Sequence, residues 1–275
     1  MPGERGKVIA GLAAVTFDFG NTLVPFPGGP MAEVVRATAE PSAALAGCSV
    51  DDFVAVWSEE RRRQFDEDVP AGREADMDVR VVRVLARLRG RPVPAAGERW
   101  DDAGLGRYSR PQEVETILDT YATAFVELTP VPPQVGPMLE RMARSYRLAI
   151  LSNWPLALAI DRFVANAGWQ PFFAAAVISH RVGVIKPRPE IFEIAAAQLG
   201  VASGPSILHV GDDLGADVFG AQRVGWRTAW IRRKPMDSPL PMAPPVEVAE
   251  PDLAIDSVLD LEGALGLAPP PGDAR

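Results

Sequence analysis

The chain has 275 residues, 47% of them apolar and 23% charged, enough for one large domain or two ordinary ones built on a hydrophobic core. Its 28 basic and 36 acidic residues leave a net charge of −8, which argues against a general nucleic-acid binder, and no apolar run approaches the roughly 18 residues needed to span a bilayer. The lone cysteine, Cys48, excludes an internal disulfide and suits a reducing cytoplasm.

Lys7 followed by VIAGLAAVTF mimics a signal peptide, but the run meets Asp18 with no cleavage site. It reads instead as a buried strand, Leu12 to Phe19, with a carboxylate at its end. PFPGGP follows Val24 as a loop. From Met31 to Leu128 the pattern is helical. One helix opens near Asp51 with Phe53, Val56 and Trp57, a second carries Val81, Val84, Leu85 and Leu88, and a third carries Val114, Ile117, Leu118, Tyr121 and Phe125. Prolines and glycines interrupt this region between Arg89 and Gly106, and TPVPP closes it.

Beyond Pro133 strands and helices alternate. The strands are Arg147 to Ser152, Phe173 to Ser179, Ser206 to Gly211 and Trp226 to Ile231. The helices are Pro155 to Ala167, Pro189 to Leu199 and Asp213 to Val224. Proline suits the first turn of the second helix. Pro235 to Pro245 reads as a surface loop, DLAI and the helix after Ser257 close the domain, and APPPGDAR is a frayed tail. Alternation of this kind gives a parallel sheet covered on both faces, an α/β Rossmann-like core. The first strand is separated from its siblings by about a hundred residues, far beyond an ordinary loop. The expected organisation is therefore a core of residues 1–24 and 131–266, an inserted all-helical cap of 25–130, and a tail of 267–275.

Ligands of open parallel sheets bind beyond the carboxyl ends of the strands. Those ends hold Asp18, the pair Ser152-Asn153, and Gly211-Asp212-Asp213 followed by Asp217. Lys186 lies in GVIKPRPEIF, and Pro187 keeps it in extended backbone. Carboxylates from two strands can hold a magnesium-type cation, which prefers oxygen ligands. The hydroxyl, the ammonium and backbone N–H groups can hold an anion. Together they are equipment for moving a phosphoryl group.

DFGNT (Asp18 to Thr22), Ser152, the lysine of KPRPEIF and GDD with Asp217 occur in the order and at the strand ends that identify the haloacid dehalogenase (HAD) superfamily, and the chain resembles its members with a helical cap inserted after the first motif. The resemblance implies an Asp18 nucleophile that takes the phosphoryl group as an aspartyl phosphate. It implies Mg²⁺ held by Asp18, the Gly20 carbonyl and Asp212, with Asp217 supporting. It assigns phosphoryl binding to Ser152, Asn153 and Lys186, and has Thr22 hold the motif turn through its hydroxyl. The substrate is a small phosphorylated metabolite, with no nucleic acid or membrane partner, and the protein is a cytoplasmic monomer or homodimer.

One departure matters. The family's second aspartate, which protonates the leaving oxygen and then activates water, is Gly20 here. The backbone carbonyl survives and the proton transfer, worth roughly 10²–10⁴ in rate, does not. This leaves a phosphatase favouring good leaving groups or borrowing an acid, a 2-haloacid dehalogenase, or a binding protein. GDD argues against the dehalogenase. A phosphonoacetaldehyde hydrolase needs a cap lysine, and the lysines are Lys7, Lys186 and Lys234 only.

Other polar residues have plainer readings. Asp213 is as good a helix N-cap as a metal neighbour, His209 is a core histidine, and His180 is open to either role. Arg61, Arg62 and Arg63 form a solvated face or, like Arg73, meet an anionic substrate. Trp57, Trp100 and Trp154 pack, with Trp154 placed to line a pocket.

Overall fold

A computed structural model describes residues 9–95, 98, 106–243 and 248–267; Lys7, Trp100, Pro244, Pro245 and the tail from 268 onward lie outside the described residues. Six strands form one sheet in the order β3-β2-β1-β4-β5-β6, and all neighbours are parallel. They are β1 (Ala14–Phe17), β2 (Arg147–Ser152), β3 (Phe173–Ile178), β4 (Ile207–Gly211), β5 (Arg227–Ile231) and β6 (Leu253–Ile255). Every residue of β1 and β4 is buried, as expected for central strands covered on both faces. β1 is the middle of the register, with Ala14 opposite both Arg147 and Ile207.

After β1, among the described residues, come the long helices α1 (Gly28–Ala46), α2 (Val50–Arg63), α3 (Met77–Leu88) and α4 (Pro111–Leu128). Ser49 caps α2 by accepting from Asp52 N at 3.1 Å, with Asp51 and Asp52 in its first turn and three arginines in its last, the arrangement its dipole favours. The chain then passes through α5 (Val135–Ala143), α6 (Ala157–Asn166) and α7 (Pro189–Leu199). α7 has Pro189 at its start and stops at Gly200, whose φ of 62° is left-handed and closes the last turn.

The sequence expectation differs from the structure in three places. β1 ends at Phe17 because the Phe19 carbonyl turns away to accept from Leu23 N and Val24 N, both at 3.0 Å. The helix after β4 opens as a wide turn, Leu214–Phe219, in which the Asp213 carbonyl accepts from Val218 N at 3.3 Å as well as from Asp217 N at 2.9 Å. The sequence reading does not set α5 apart: its apolar face, Val135, Met138, Leu139 and Met142, is buried, but the flanking prolines hide the pattern.

One face of the sheet is covered by α7 with Ile191, Phe192 and Leu199. The other face and the inserted helices share a single apolar cluster. At its centre Phe19 and Phe26 meet Phe125 of α4, and Phe125 meets Trp154 at 5.5 Å and Phe163 of α6 at 6.0 Å. This aromatic group sets the helical insertion over the carboxyl edge of the sheet and leaves a cavity of about 400 Å³ between them.

Candidate active site

Asp18 follows β1 directly, and its N–H donates to Val210 O at 2.8 Å, so the central strands aim its carboxylate at the cavity. Its Oδ1 accepts from Ser152 Oγ at 2.9 Å and from Lys186 Nζ at 2.7 Å. Among the described residues nothing donates to Oδ2. The turn that follows is held by Asn21. With φ of 56° it takes the left-handed conformation that asparagine tolerates better than most residues. Its Oδ1 accepts from Phe26 N at 3.1 Å and its Nδ2 donates to Ser238 Oγ at 3.0 Å.

That corrects the expectation for Thr22. Its hydroxyl is buried without a hydrogen-bond partner among the described residues, and it does not line the cavity. Asparagine one position earlier holds the turn because its longer side chain reaches the Phe26 amide. Asn153, expected at the phosphoryl group, lines the cavity. Its amide donates to Lys186 O at 3.0 Å and accepts from Lys186 N at 2.8 Å, so it positions the lysine backbone. Lys186 in turn spends its three ammonium protons on Asp18 Oδ1, Leu151 O at 2.9 Å and Asp217 Oδ1 at 2.6 Å. Contact with a phosphoryl oxygen requires one of these bonds to be exchanged.

Asp18, Asp212 and Asp217 each bring an oxygen within 4.8 Å of the others, an all-oxygen set that suits a hard divalent cation. Asp217 is nevertheless occupied. Its Oδ1 also accepts from His209 Nε2 at 3.1 Å and its Oδ2 accepts from Asp213 N at 2.9 Å. Its carboxyl packs so closely that a side chain at Gly211 would lie 2.1 Å from it. Asp18 and Asp212 are less fully engaged by protein donors than Asp217, and the Gly20 carbonyl takes part in neither hydrogen bond of the Gly20–Val24 bridge. Asp213 is the N-cap, accepting from Gly215 N at 2.8 Å and Ala216 N at 3.0 Å. His209 is a satisfied core residue between Thr16 Oγ1 and Asp217, and burial lowers its pKa.

Burial raises Asp18 to about 6 against the pull of Lys186. Burial and the Asp217 and Asp18 charges raise Asp212 to about 7. Asp217 goes the other way: burial opposes ionisation, but Lys186 and His209 hold its carboxyl well below the usual range. Burial opposes the charge on Lys186 too, and the two carboxylates outweigh it.

A pH prediction follows for the metal-free protein. A carboxylate whose pKa is higher folded than unfolded binds more protons in the folded state, so its contribution to stability falls as pH rises between the two values. Asp212→Asn removes that titration. Its stability relative to wild type should improve from about pH 4 to about pH 7 and level off above. Chemical denaturation at a series of pH values in chelator checks this, and a constant difference would refute it.

Several residues at the cavity are not evident from the sequence. The segment expected as a surface loop folds back over the site. Lys234 Nζ lies 3.4 Å from Asp212 Oδ2, Ala243 N donates to Asp213 Oδ2 at 2.6 Å, and Arg61 reaches the Pro239 carbonyl. Leu240 fills the space beside Gly20, where a Cβ would come within 2.5 Å of its Cδ1. Of the four arginines considered for substrate contact, Arg63 pairs with Glu60 and Glu67, Arg73 with Asp68, and Arg62 is exposed; Arg61 lines the cavity together with Arg80. Trp154 lines it as expected, while His180 pairs with Asp78 of α3 at 2.9 Å outside it. Burial raises Glu74, also in the lining, but its carboxylate is fixed by Ala75 N at 2.8 Å and by the Ser179 hydroxyl.

Known proteins resemble this chain over most of its length. A family model described as haloacid dehalogenase-like hydrolase matches residues 12–225. A glyceraldehyde 3-phosphate phosphatase of Methanopyrus kandleri is 28% identical over 91% of this chain and 95% of its own. A ribulose-1,5-bisphosphate 5-phosphatase of Halopiger xanaduensis is 27% identical over 78% of this chain and 82% of its own. Among solved structures, a 2-haloacid dehalogenase from Pseudomonas syringae pv. Tomato superposes with a TM-score of 0.63 at 23% identity, covering 93% of this chain and 98% of that one, a likeness of fold.

Proposed function

The chain belongs to the haloacid dehalogenase-like hydrolases, and on that premise we propose that it is an Mg²⁺-dependent phosphatase of a small phosphorylated metabolite, with Asp18 as the nucleophile. The observation that carries the reading is the state of the Asp18 carboxylate in the cavity wall, with Oδ1 fixed by Ser152 and Lys186 and Oδ2 without a donor among the described residues. Both relatives named above are phosphatases, and they cover most of the chain.

Asp18 Oδ2 attacks phosphorus, the bond from phosphorus to the ester oxygen breaks, and the leaving oxygen departs as an anion that takes its proton from solvent, leaving an aspartyl phosphate. Water then attacks that phosphorus, the bond from phosphorus to Asp18 Oδ2 breaks, and the carboxylate and inorganic phosphate are freed as the water's proton passes to solvent. Lys186 offsets the carboxylate charge that would repel the incoming dianion, and Asp217, paired to it at 2.6 Å, keeps the ammonium on station. Asp18, Asp212 and the Gly20 carbonyl would hold Mg²⁺, which supplies charge stabilisation at the phosphoryl oxygens. The inserted helices serve as the cap that excludes water. No helix among the described residues is long and apolar enough to cross a membrane.

The test is a panel of phosphate esters and 2-haloacids assayed with Mg²⁺ and with EDTA. Ester hydrolysis should require the metal, with EDTA costing on the order of 10²-fold or more. Halide release in EDTA without ester hydrolysis would overturn the reading. In the same assay Asp212→Asn should lose the Mg²⁺-dependent rise in melting temperature that ligand linkage gives the wild type.

A further inference from the structure

We propose that the helical cap carries a second anion site, built by Arg80 and Arg61 beside Tyr121, so that the substrate is a phosphate monoester bearing another anionic group, a carboxylate or a second phosphoryl group. This deepens the phosphatase reading and rests on it.

The observation is a pair of inward-facing guanidinium groups without a counter-ion. Arg80, on α3, is 3% exposed and lines the cavity that holds Asp18. Its Nε donates to Gln64 Oε1 at 2.8 Å, Nη2 to Ala75 O at 3.3 Å and Nη1 to Met77 Sδ at 3.6 Å, all uncharged acceptors. A guanidinium has five N–H groups, so two are left without an acceptor among the described residues. Its flat face lies 5.5 Å from the Trp57 ring centre. Arg61, on α2, lines the same cavity, donates to the Pro239 carbonyl and sits 4.5 Å over the Phe65 ring. Among the described residues neither arginine forms an ion pair.

Buried charges in proteins are ordinarily paired, because an isolated one loses its hydration without compensation. The neighbouring arginines obey that rule: Arg63, Arg83 and Arg87 all converge on Glu60. Glu60 is thereby spent, and the Glu74 carboxylate in the cavity wall is turned to Ala75 N and Ser179. Burial lowers Arg61, and burial with the Arg61 charge lowers Arg80 to about 10, more than the charges of Glu74 and Glu60 offset. Tyr121, on α4, lines the cavity and is an electrostatic neighbour of both. The core side of the cavity carries Asp18 and Asp212, so it receives the phosphoryl group with a cation and disfavours any further anion. The cations that line the cavity from the core side are already paired, Lys186 with Asp18 and Asp217 and Arg188 with Glu190, so among the described lining residues the unpaired guanidinium groups for a second anion lie on the cap side, where planar forks can take its oxygens.

The experiment compares matched ester pairs on the full-length protein with Mg²⁺: 2-phosphoglycolate against ethyl phosphate, and propane-1,3-diyl bisphosphate against propyl phosphate. Wild type should favour the second-anion member of at least one pair by about 10- to 100-fold in kcat/KM, mainly through KM, the range for a hydrogen bond to a charged group. The pair that shows the preference tells a carboxylate from a phosphoryl partner. Arg80→Met and Arg61→Met should bring the ratio near one, and Arg80→Lys should recover part of it. Arg80 also braces the segment from Gln64 to Met77, so folding is checked by circular dichroism; if Arg80→Met fails to fold, Arg61→Met and Arg80→Lys carry the comparison. Binding of the same pairs to Asp18→Asn, measured by calorimetry, reads the site without turnover. Turnover with no preference in either pair, or a preference unmoved in every folded variant, overturns the anion site and leaves the phosphatase standing. Preferential binding to Asp18→Asn with no ester hydrolysed by wild type does the reverse.

Discussion

Replacing Asp18 by asparagine should leave a folded protein whose phosphatase turnover has dropped on the order of 10⁴-fold or more, the scale seen when a nucleophile is removed from a concerted site. The amide is close in size to the carboxylate, and its oxygen can still accept from Ser152 and Lys186 in place of Oδ1. What disappears is the oxygen that attacks. Stability should not fall with activity. Burial already holds the Asp18 carboxyl up at about 6, with Asp217 adding repulsion, so the ionised group is unfavourable in the metal-free fold. The melting temperature of metal-free Asp18→Asn at pH 8 should equal or exceed that of wild type. Full turnover in the variant, contamination excluded, would remove Asp18 from the role. A large drop in melting temperature would mean that its loss acts through the fold.

The second large effect concerns Gly20. Without a carboxyl there, an alkyl ester must leave as an alkoxide, whereas a nitrophenyl or acyl phosphate leaves as a stable anion. Wild type should therefore discriminate steeply by leaving group. The backbone at Gly20 does not bar a side chain, since the left-handed residue of the turn is Asn21. The obstacle is Leu240, whose Cδ1 lies 2.5 Å from a Cβ at position 20, with the Trp154 ring at 3.3 Å. Gly20→Asp alone should gain little, because the new carboxyl must first displace the loop. Combined with Leu240→Ala it should raise kcat/KM for ethyl phosphate by up to roughly 10²–10⁴ while changing nitrophenyl phosphate far less. The ratio of the two substrates in wild type, both single variants and the double variant decides the matter. Efficient alkyl hydrolysis in wild type, untouched by the double substitution, would show that another group delivers the proton.

The strand-end residues were legible in the sequence because a parallel sheet brings its carboxyl ends together whatever lies between them. Asp18, Ser152 and Asp212 needed only a strand period and a count of where each strand stops, while Lys186, in the loop before α7, was marked by the KPRPEIF segment. The bounds of β2 and α7 were legible for a related reason: proline and glycine mark the ends of α7, and a turn signal ends β2. Leu240, Arg80 and Glu74 were not, because nothing local marks them. Leu240 reaches Gly20 across more than two hundred residues, and the prolines around it read equally well as a solvent-facing loop. Arg80 sits in a helix with two further arginines, Arg83 and Arg87, and only the packing shows which of them lacks a carboxylate. The bonds of Asn153 to the Lys186 backbone, and the use of Asn21 in the turn that holds Thr22, were not legible either. The sequence shows that a polar side chain stands in a turn, not which backbone amide it will reach.

The position of β1 also bears on synthesis of the chain. Of the six strands β1 leaves the ribosome first, and it has neighbours on both edges, which follow 133 and 193 residues later, at Arg147 and Ile207 for Ala14. At translation rates of about 5–20 residues per second, its second edge stays unpaired for roughly 10–40 s. During that time the inserted helices can form from local contacts, while the sheet beneath them is still missing its centre. Closure of the core is then a late, long-range event of the kind that folds slowly. The nascent AVTF segment, with backbone donors and acceptors open along both sides, is where chaperone protection would matter most.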